Sequence, residues 1–129
     1  MAVTHSTAAR NAATDAVTAL IGASGKLVFR LAGTVSAPGT AVATLSLSAT
    51  AFAAAVTGTA TANAITSDTN ATGNASAVAT ATLQTSGGTV VIHCAVAASA
   101  SDINMNNGLT VAAGDTVSCS SLTYTALSA

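Results

Sequence analysis

The sequence predicts a mainly β protein: an antiparallel β-sandwich of jelly-roll type, with about eight strands and a single N-terminal α-helix. Three observations carry that expectation. From Lys26 onward side-chain character alternates with a period of two, and the alternating segments are set apart by runs rich in Gly, Asn, Asp and Ser. Only residues 6 to 21 show the three- and four-residue spacing of a helix.

In that helix Ala9, Ala13, Ala16, Val17, Leu20 and Ile21 share one side, with Arg10, Asn11, Thr14 and Thr18 elsewhere. The small apolar stripe is expected to lie on the chain's own sheet or on another subunit. Thr4 or Ser6 is placed to cap the N-terminus, and Gly22 supplies the positive-φ residue that ends many helices. The first strand alternates Leu27, Phe29 and Leu31 with Val28 and Arg30, and both faces read as partly buried. A turn from Gly33 to Gly39, holding the sole proline Pro38, leads to a second strand. There Ala41, Ala43, Leu45 and Leu47 alternate with Val42, Thr44, Ser46 and Ser48. Phe52 is expected to anchor an Ala-rich connection to the core. Segments 57 to 66, 75 to 85, 89 to 97 and 115 to 125 read as four further strands. Short strands near Ile103 and Leu109 to Val111 complete the set. Residues 1–25 then form an arm and helix, and residues 26–129 the β-sandwich domain, as a single structural unit.

Composition limits both stability and function. Half of the 129 residues are hydrophobic, but Leu, Ile, Val and Phe number only 27, so the apolar driving force is thin. Net charge is -1, too low for the usual disorder signature, and the chain should fold. Charged residues make up 5% and Glu is absent, whereas a soluble monomer carries roughly 25–35% charge on its surface. Thr, Ser and Asn must do the solvating, and such groups are cheaper than charges to bury against a partner that supplies hydrogen bonds. Arg10, Lys26 and Arg30 are the only basic residues besides two histidines, too few for a phosphate-binding patch, so nucleic acid is not the expected partner. No run of about 18 apolar residues exists, and neither a membrane span nor a secretory signal is expected.

Chemistry-bearing motifs are few. Cys94 and Cys119 share the inward phase of their strands; buried free thiols are the simpler account, and a disulfide stays open if the strands are neighbours. His93 points away from Cys94 and His5 lies at the helix start, so neither completes a zinc site. DTNATG (Asp68, Asn70, Gly73) and DINMNN (Asp102, Asn104, Asn106) echo the start of a calcium loop. Both lack the closing glutamate, with Ala79 and Ala113 in its place, and Asx turns account for them. GASGK has the wrong spacing for a nucleophile elbow, which makes Ser24 a turn residue. Four Asp and two His offer few ways to build a catalytic triad, so the chain is expected not to be an enzyme and to need no cofactor or metal.

STAARNAATDAVTALIGASGKLVFRLAG (residues 6 to 34), AITSDTNATGNASA (64 to 77) and GDTVSCSSLTYT (114 to 125) together resemble small virion proteins encoded among tailed-bacteriophage structural genes. The shared pattern is a helix carrying Arg-Asn-Ala, a Gly turn, a Lys-Leu strand and a closing strand ending Leu-Thr-Tyr. The resemblance implies a particle component: a capsid decoration (cement) protein, a head-fibre base, or a head-tail or tail accessory protein. Its partners would be the major capsid protein or other virion subunits and further copies of itself, as a trimer or dimer. Assembly would take place in the host bacterial cytoplasm. Because chain ends are ordered mainly when docked, Val3, His5 and Arg10 are the expected subunit contacts. A glycan-binding β module is the alternative, although Tyr124 is the one aromatic suited to an exposed stacking role.

Overall fold

The computed structural model describes residues 3–129. One helix, α1 (Thr7–Ala19), precedes eight strands: β1 (Lys26–Arg30), β2 (Ala41–Leu47), β3 (Thr59–Thr61), β4 (Ile65–Thr66), β5 (Thr80–Gln84), β6 (Val90–Ala97), β7 (Ile103–Asn104) and β8 (Thr123–Thr125). The protein is therefore mainly β with one N-terminal helix, as its periodicities predict. The strands form a six-stranded sheet in the order β4-β2-β1-β5-β6-β7 and a two-stranded sheet of β3 and β8. The larger sheet is mixed, not antiparallel throughout, because β7 runs parallel to β6 with Val96 opposite Ile103.

Ser6 caps α1, its side chain accepting the Ala9 N–H at 3.2 Å, and Gly22 at φ +70° turns the chain away after the last turn. The expected stripe is met in part, with Ile21 buried and Ala13 and Val17 half-buried. Thr14, Thr18 and Ile21 are buried, while Ala9 and Ala16 are exposed and Leu20 is 66% accessible. Thr14 faces inward because the surface it meets offers backbone groups to its hydroxyl, whereas the Thr18 hydroxyl bonds back to the Asp15 carbonyl of its own helix at 3.3 Å.

The predicted segment 57 to 66 breaks into β3 and β4, which enter different sheets. Segment 115 to 125 pairs only through a bridge at Val117 and through β8, and Leu109 to Val111 lie outside the strands. Alternation marks these stretches as extended, but ladder partners come from distant parts of the chain.

One core cluster serves both sheets. Leu27, Phe29, Ala43, Leu45, Leu47, Ala81 and Leu83 project into it from the six-stranded sheet, Ala60 from β3, and Ile21 from beyond the helix. Phe52 is buried in it, as its place in an Ala-rich connection predicts. Val28 is also buried yet stands outside this cluster, which puts it on the opposite face of β1.

The sheet ends are closed by carboxylates. On the β2 side, Asp68 Oδ2 accepts the Thr44 N–H at 2.9 Å and Gly73 N–H donates to the Val42 carbonyl at 3.0 Å. On the β6 side, Asp102 Oδ2 accepts the Ala95 N–H at 3.0 Å. Asp68 and Asn74 also close Asx turns, accepting the Asn70 and Ser76 N–H groups. An unpaired strand edge invites other chains, and a carboxylate on its N–H groups blunts it.

Candidate interaction surfaces

The helix reads a single tight turn. Val56 and Thr59 exchange both backbone hydrogen bonds, and the two residues between them have positive φ, Thr57 at 52° and Gly58 at 81°. This two-residue hairpin has the φ signs of a type I′ turn, where a β-branched residue is under strain. Three helix side chains take up its polar groups. Arg10 Nη2 donates to the Thr57 carbonyl (2.9 Å), Asn11 Oδ1 accepts the Gly58 N–H (2.7 Å), and Thr14 Oγ1 donates to the Gly58 carbonyl (2.6 Å). Gly58 is favoured here by its φ of +81°, and a Cβ would also crowd the Arg10 side chain at 3.0 Å. One turn further along, Asp15 Oδ1 accepts the Ala55 N–H at 2.8 Å.

The same helix face holds the end of the described chain. Thr14 Oγ1 accepts the Ala126 N–H (3.1 Å), Arg10 Nε donates to the Leu127 carbonyl (3.2 Å), and His5 Nδ1 lies 2.7 Å from the Ala129 carbonyl oxygen. Of the three expected subunit contacts, Arg10 is half-buried and engaged within its own chain, and His5 is exposed while touching residue 129. Val3 is 76% accessible. Leu20 and Val56 (71%) are further exposed apolar side chains, with Val35 in the turn before β2.

A second surface is the face of the six-stranded sheet that turns away from the core. Register places Lys26, Val28 and Arg30 of β1 on it, beside Thr44 and Ser46 of β2, Thr80, Thr82 and Gln84 of β5, and His93 of β6; Val28, Thr80, Thr82 and Gln84 are buried there and only Thr44 is exposed. Arg30 lies across it, donating from Nε to Thr82 Oγ1 (3.0 Å), from Nη2 to Gln84 Oε1 (3.0 Å) and from Nη1 to the Gly39 carbonyl (2.9 Å). Thr82 Oγ1 in turn donates to Gln84 Oε1, and Lys26 Nζ donates to Ser46 Oγ at 3.1 Å. His93 Nε2 is shielded from solvent without a hydrogen-bond partner. The period-two alternation contained this face, with cations four apart in β1, but nothing local said that Thr82 and Gln84 would lie beneath them.

A cleft of about 590 Å³ opens beside Phe29, lined by Asp102, Asn104, Met105, Asp115, Ser118 and Leu122 among others. Its rim is rich in amides and hydroxyls. Cys94 and Cys119 are free thiols. Burial, then the Asp102 charge, pushes the Cys94 thiol up to about 11; burial also raises Cys119, against a hydrogen bond with the Ser121 backbone that lowers it. Neither is poised to be a nucleophile, which needs the thiolate. Among the described residues no group of three or more His, Cys, Asp or Glu is gathered to hold a metal ion. No helix among them is long and apolar enough to cross a membrane.

No family model, no curated protein and no solved structure matches this chain.

Proposed function

We propose that this chain is a virion structural protein of a tailed bacteriophage, a capsid decoration (cement) protein that works by subunit contact and carries out no catalysis. The observation that carries the reading is the employment of its ionic groups. Asp15, Asp68, Asp102 and Asp115 each accept a backbone N–H, from Ala55, Thr44, Ala95 and Ala112 respectively. Arg10, Lys26 and Arg30 donate to carbonyl, hydroxyl or amide oxygens of their own chain. What remains outside is largely Ala, Thr, Ser and Asn, groups cheaper than charges to desolvate when a partner supplies hydrogen bonds. Such a surface suits lasting contact with a capsid subunit and with further copies in a trimer or dimer.

In this reading the two sheets are the layers of a β-sandwich of jelly-roll kind, supported by the single core that collects side chains from both. The helix and its arm, with Val3 foremost, reach neighbouring subunits of the shell assembled in the bacterial cytoplasm. Cementing follows from repetition: about 1,000 Å² or more buried per contact over many copies opposes internal pressure without any one contact being strong. Counting copies in purified particles tests it. Hundreds per particle are expected, and a handful would sink cementing in favour of a tail, head-tail or fibre role. The amide- and hydroxyl-rimmed cleft favours one other reading, a glycan-binding module, which specific retention on a glycan array would establish.

A further inference from the structure

We infer that the cleft beside Phe29 is a docking groove, and that what it takes is an extended strand of another protein, added to the open edge of β8 and carrying a lysine or arginine. The inference rests on the reading above only for which protein supplies that strand.

The cleft lies where the outermost strands of the two sheets come together. It is lined by β7 with the loop after it (residues 103–108) and by residues 115–123, which lead into β8. β7 ends the six-stranded sheet, and β8 ends its pair with β3. In that pair Ala60 stands opposite Tyr124 and the Ala62 N–H donates to the Leu122 carbonyl. Leu122 and Tyr124 therefore bond β3, while Thr123 and Thr125 turn their N–H and C=O groups the other way. The far side of β3 is covered, since the Ala53 N–H donates to the Thr61 carbonyl at 2.9 Å. Thr44 of β2 and Ala95 of β6 each have a carboxylate on the N–H, but β8 carries neither a charge nor a proline to blunt its edge. Such an edge is the template for strand addition, in which main-chain bonds give affinity and pockets for alternate side chains give specificity.

The rest of the cleft selects the side chains of that strand. Its volume of about 590 Å³ falls in the range of formed binding sites. The rim is open to solvent, with Asn104, Ser118, Ser121 and Thr123 all exposed. Beneath it Phe29, Val111 and Val117 are buried and Met105 and Leu122 half-buried, an apolar floor for every second side chain of an extended segment. Asp102 and Asp115 each hold a backbone N–H on Oδ2 and both stay exposed, while no Lys, Arg or His lines the cleft. Two carboxylates without a cation favour a basic side chain at the rim. Arg10, Lys26 and Arg30 of a second copy are bonded within their own chain, so the strand belongs to a different protein. A saccharide fits less well, because sugar rings stack on exposed aromatic faces and Phe29 is buried.

The test titrates the full-length, isotope-labelled protein with the acetylated and amidated peptide Thr-Val-Lys-Val-Thr-Val-Lys-Thr and follows backbone amides by NMR. Shifts should concentrate on residues 103–108 and 118–125, with hydrogen exchange slowed at Thr123 and Thr125. Thr123→Pro removes one outward N–H and leaves the bonds to β3, and should weaken binding by about tenfold or more. Asp115→Asn, which keeps an oxygen for the Ala112 N–H and loses the charge, should weaken it less; its spectrum keeps the test open if the proline is not tolerated. Absence of shifts on these residues, or undiminished binding of the same peptide N-methylated throughout, would overturn strand addition. Equal or tighter binding with Glu in place of Lys would overturn the choice of a basic side chain. A trimer of N-acetylglucosamine that shifts the same amides at lower concentration than the peptide would overturn the choice of a protein. Copy number in particles separates the two proposals. Peptide binding by a protein present in a handful of copies leaves the inference standing and removes the decoration role, while hundreds of copies without peptide binding does the reverse.

Discussion

The six-stranded sheet and the helix are secured by opposite means. Leu27, Phe29, Leu45 and Leu83 fix the sheet by removing large side chains from water, whereas α1 is fixed by Arg10, Asn11, Thr14 and Asp15 bonding the backbone of residues 55–58, with Arg10 and Thr14 also holding residues 126–127. A chain short of large apolar residues spends them in one block and holds its remaining parts with side-chain-to-backbone hydrogen bonds. Two kinds of fragility follow. Apolar packing is non-directional and fails by leaving cavities; a bond to a backbone group fails by leaving that group unpaired.

The deepest test of the contrast is Leu27→Ala. Leu27 is fully buried between Leu45 and Leu83, its register partners on either side, so truncation opens a cavity at the centre of the sheet. A cost of about 2–5 kcal/mol is expected, enough to unfold a marginal domain, and urea denaturation followed by circular dichroism would measure it. A loss under about 1 kcal/mol would mean that the sheet does not depend on this block.

Thr14→Val is the matching experiment for the helix. The change keeps the shape and removes a hydroxyl that is fully buried and serves both the Gly58 carbonyl and the Ala126 N–H. About 1–3 kcal/mol should be lost, with faster hydrogen exchange at Ala126 while β1 and β5 amides keep their protection. Loss of protection everywhere at once would show that helix and sheet form one cooperative unit and would dissolve the distinction.

The sequence disclosed the sheet far better than the helix contact, for a physical reason. Alternation in residues 26–31 and 41–47 reports burial by itself, because the two faces of a strand see different surroundings. Helical periodicity located α1 equally well, with the cap at Ser6 and the turn at Gly22. It placed Ile21 inward but missed Thr14 and Thr18, since an alanine stripe invites packing while the surface opposite Thr14 is a turn with open backbone groups. Which backbone group an Asp or Arg will meet is invisible locally: Asp15 meets Ala55, Asp68 meets Thr44, and Arg10 meets Leu127. Likewise the extended stretch before β8 carries the pattern of a strand but forms just one bridge, from Val117 to Asp68, with single backbone bonds from Ala71 to Asp115 and from Ala62 to Leu122 beside it. Of the expected contacts, Val3 is open to a neighbour and Arg10 is engaged at home, a difference set by the position of a turn some fifty residues away.

Strain in that turn offers a change of opposite sign. Thr57 holds φ 52°, a region costly for a β-branched residue, while its side chain is exposed. Thr57→Gly should relieve it and stabilise the protein by up to about 1 kcal/mol, less what the looser unfolded chain gains in entropy. A higher midpoint in thermal unfolding is the expected outcome. Destabilisation beyond about 1 kcal/mol would mean that the threonine side chain supports the helix contact.

The mildest perturbation comes from pH, and it probes how tightly strand β6 is covered. Burial lifts the Cys94 thiol from the ordinary 9.0 to about 11, with Asp102 adding to the shift. A raised thiol pKa means that the folded protein binds the proton more firmly than the unfolded chain does. The resulting stabilisation is present in full below about pH 9 and is lost as pH climbs toward 11. Urea midpoints at pH 8 and pH 10.5 should therefore fall further apart for the native sequence than for Cys94→Ala. At pH 8 the native thiol should react with a disulfide reagent far more slowly than it does in the denatured protein, because its thiolate fraction is about a hundredfold smaller. Equal rates in the two states would show β6 opening readily, and the sheet would then share the looseness that its hydrogen-bonded helix is expected to have.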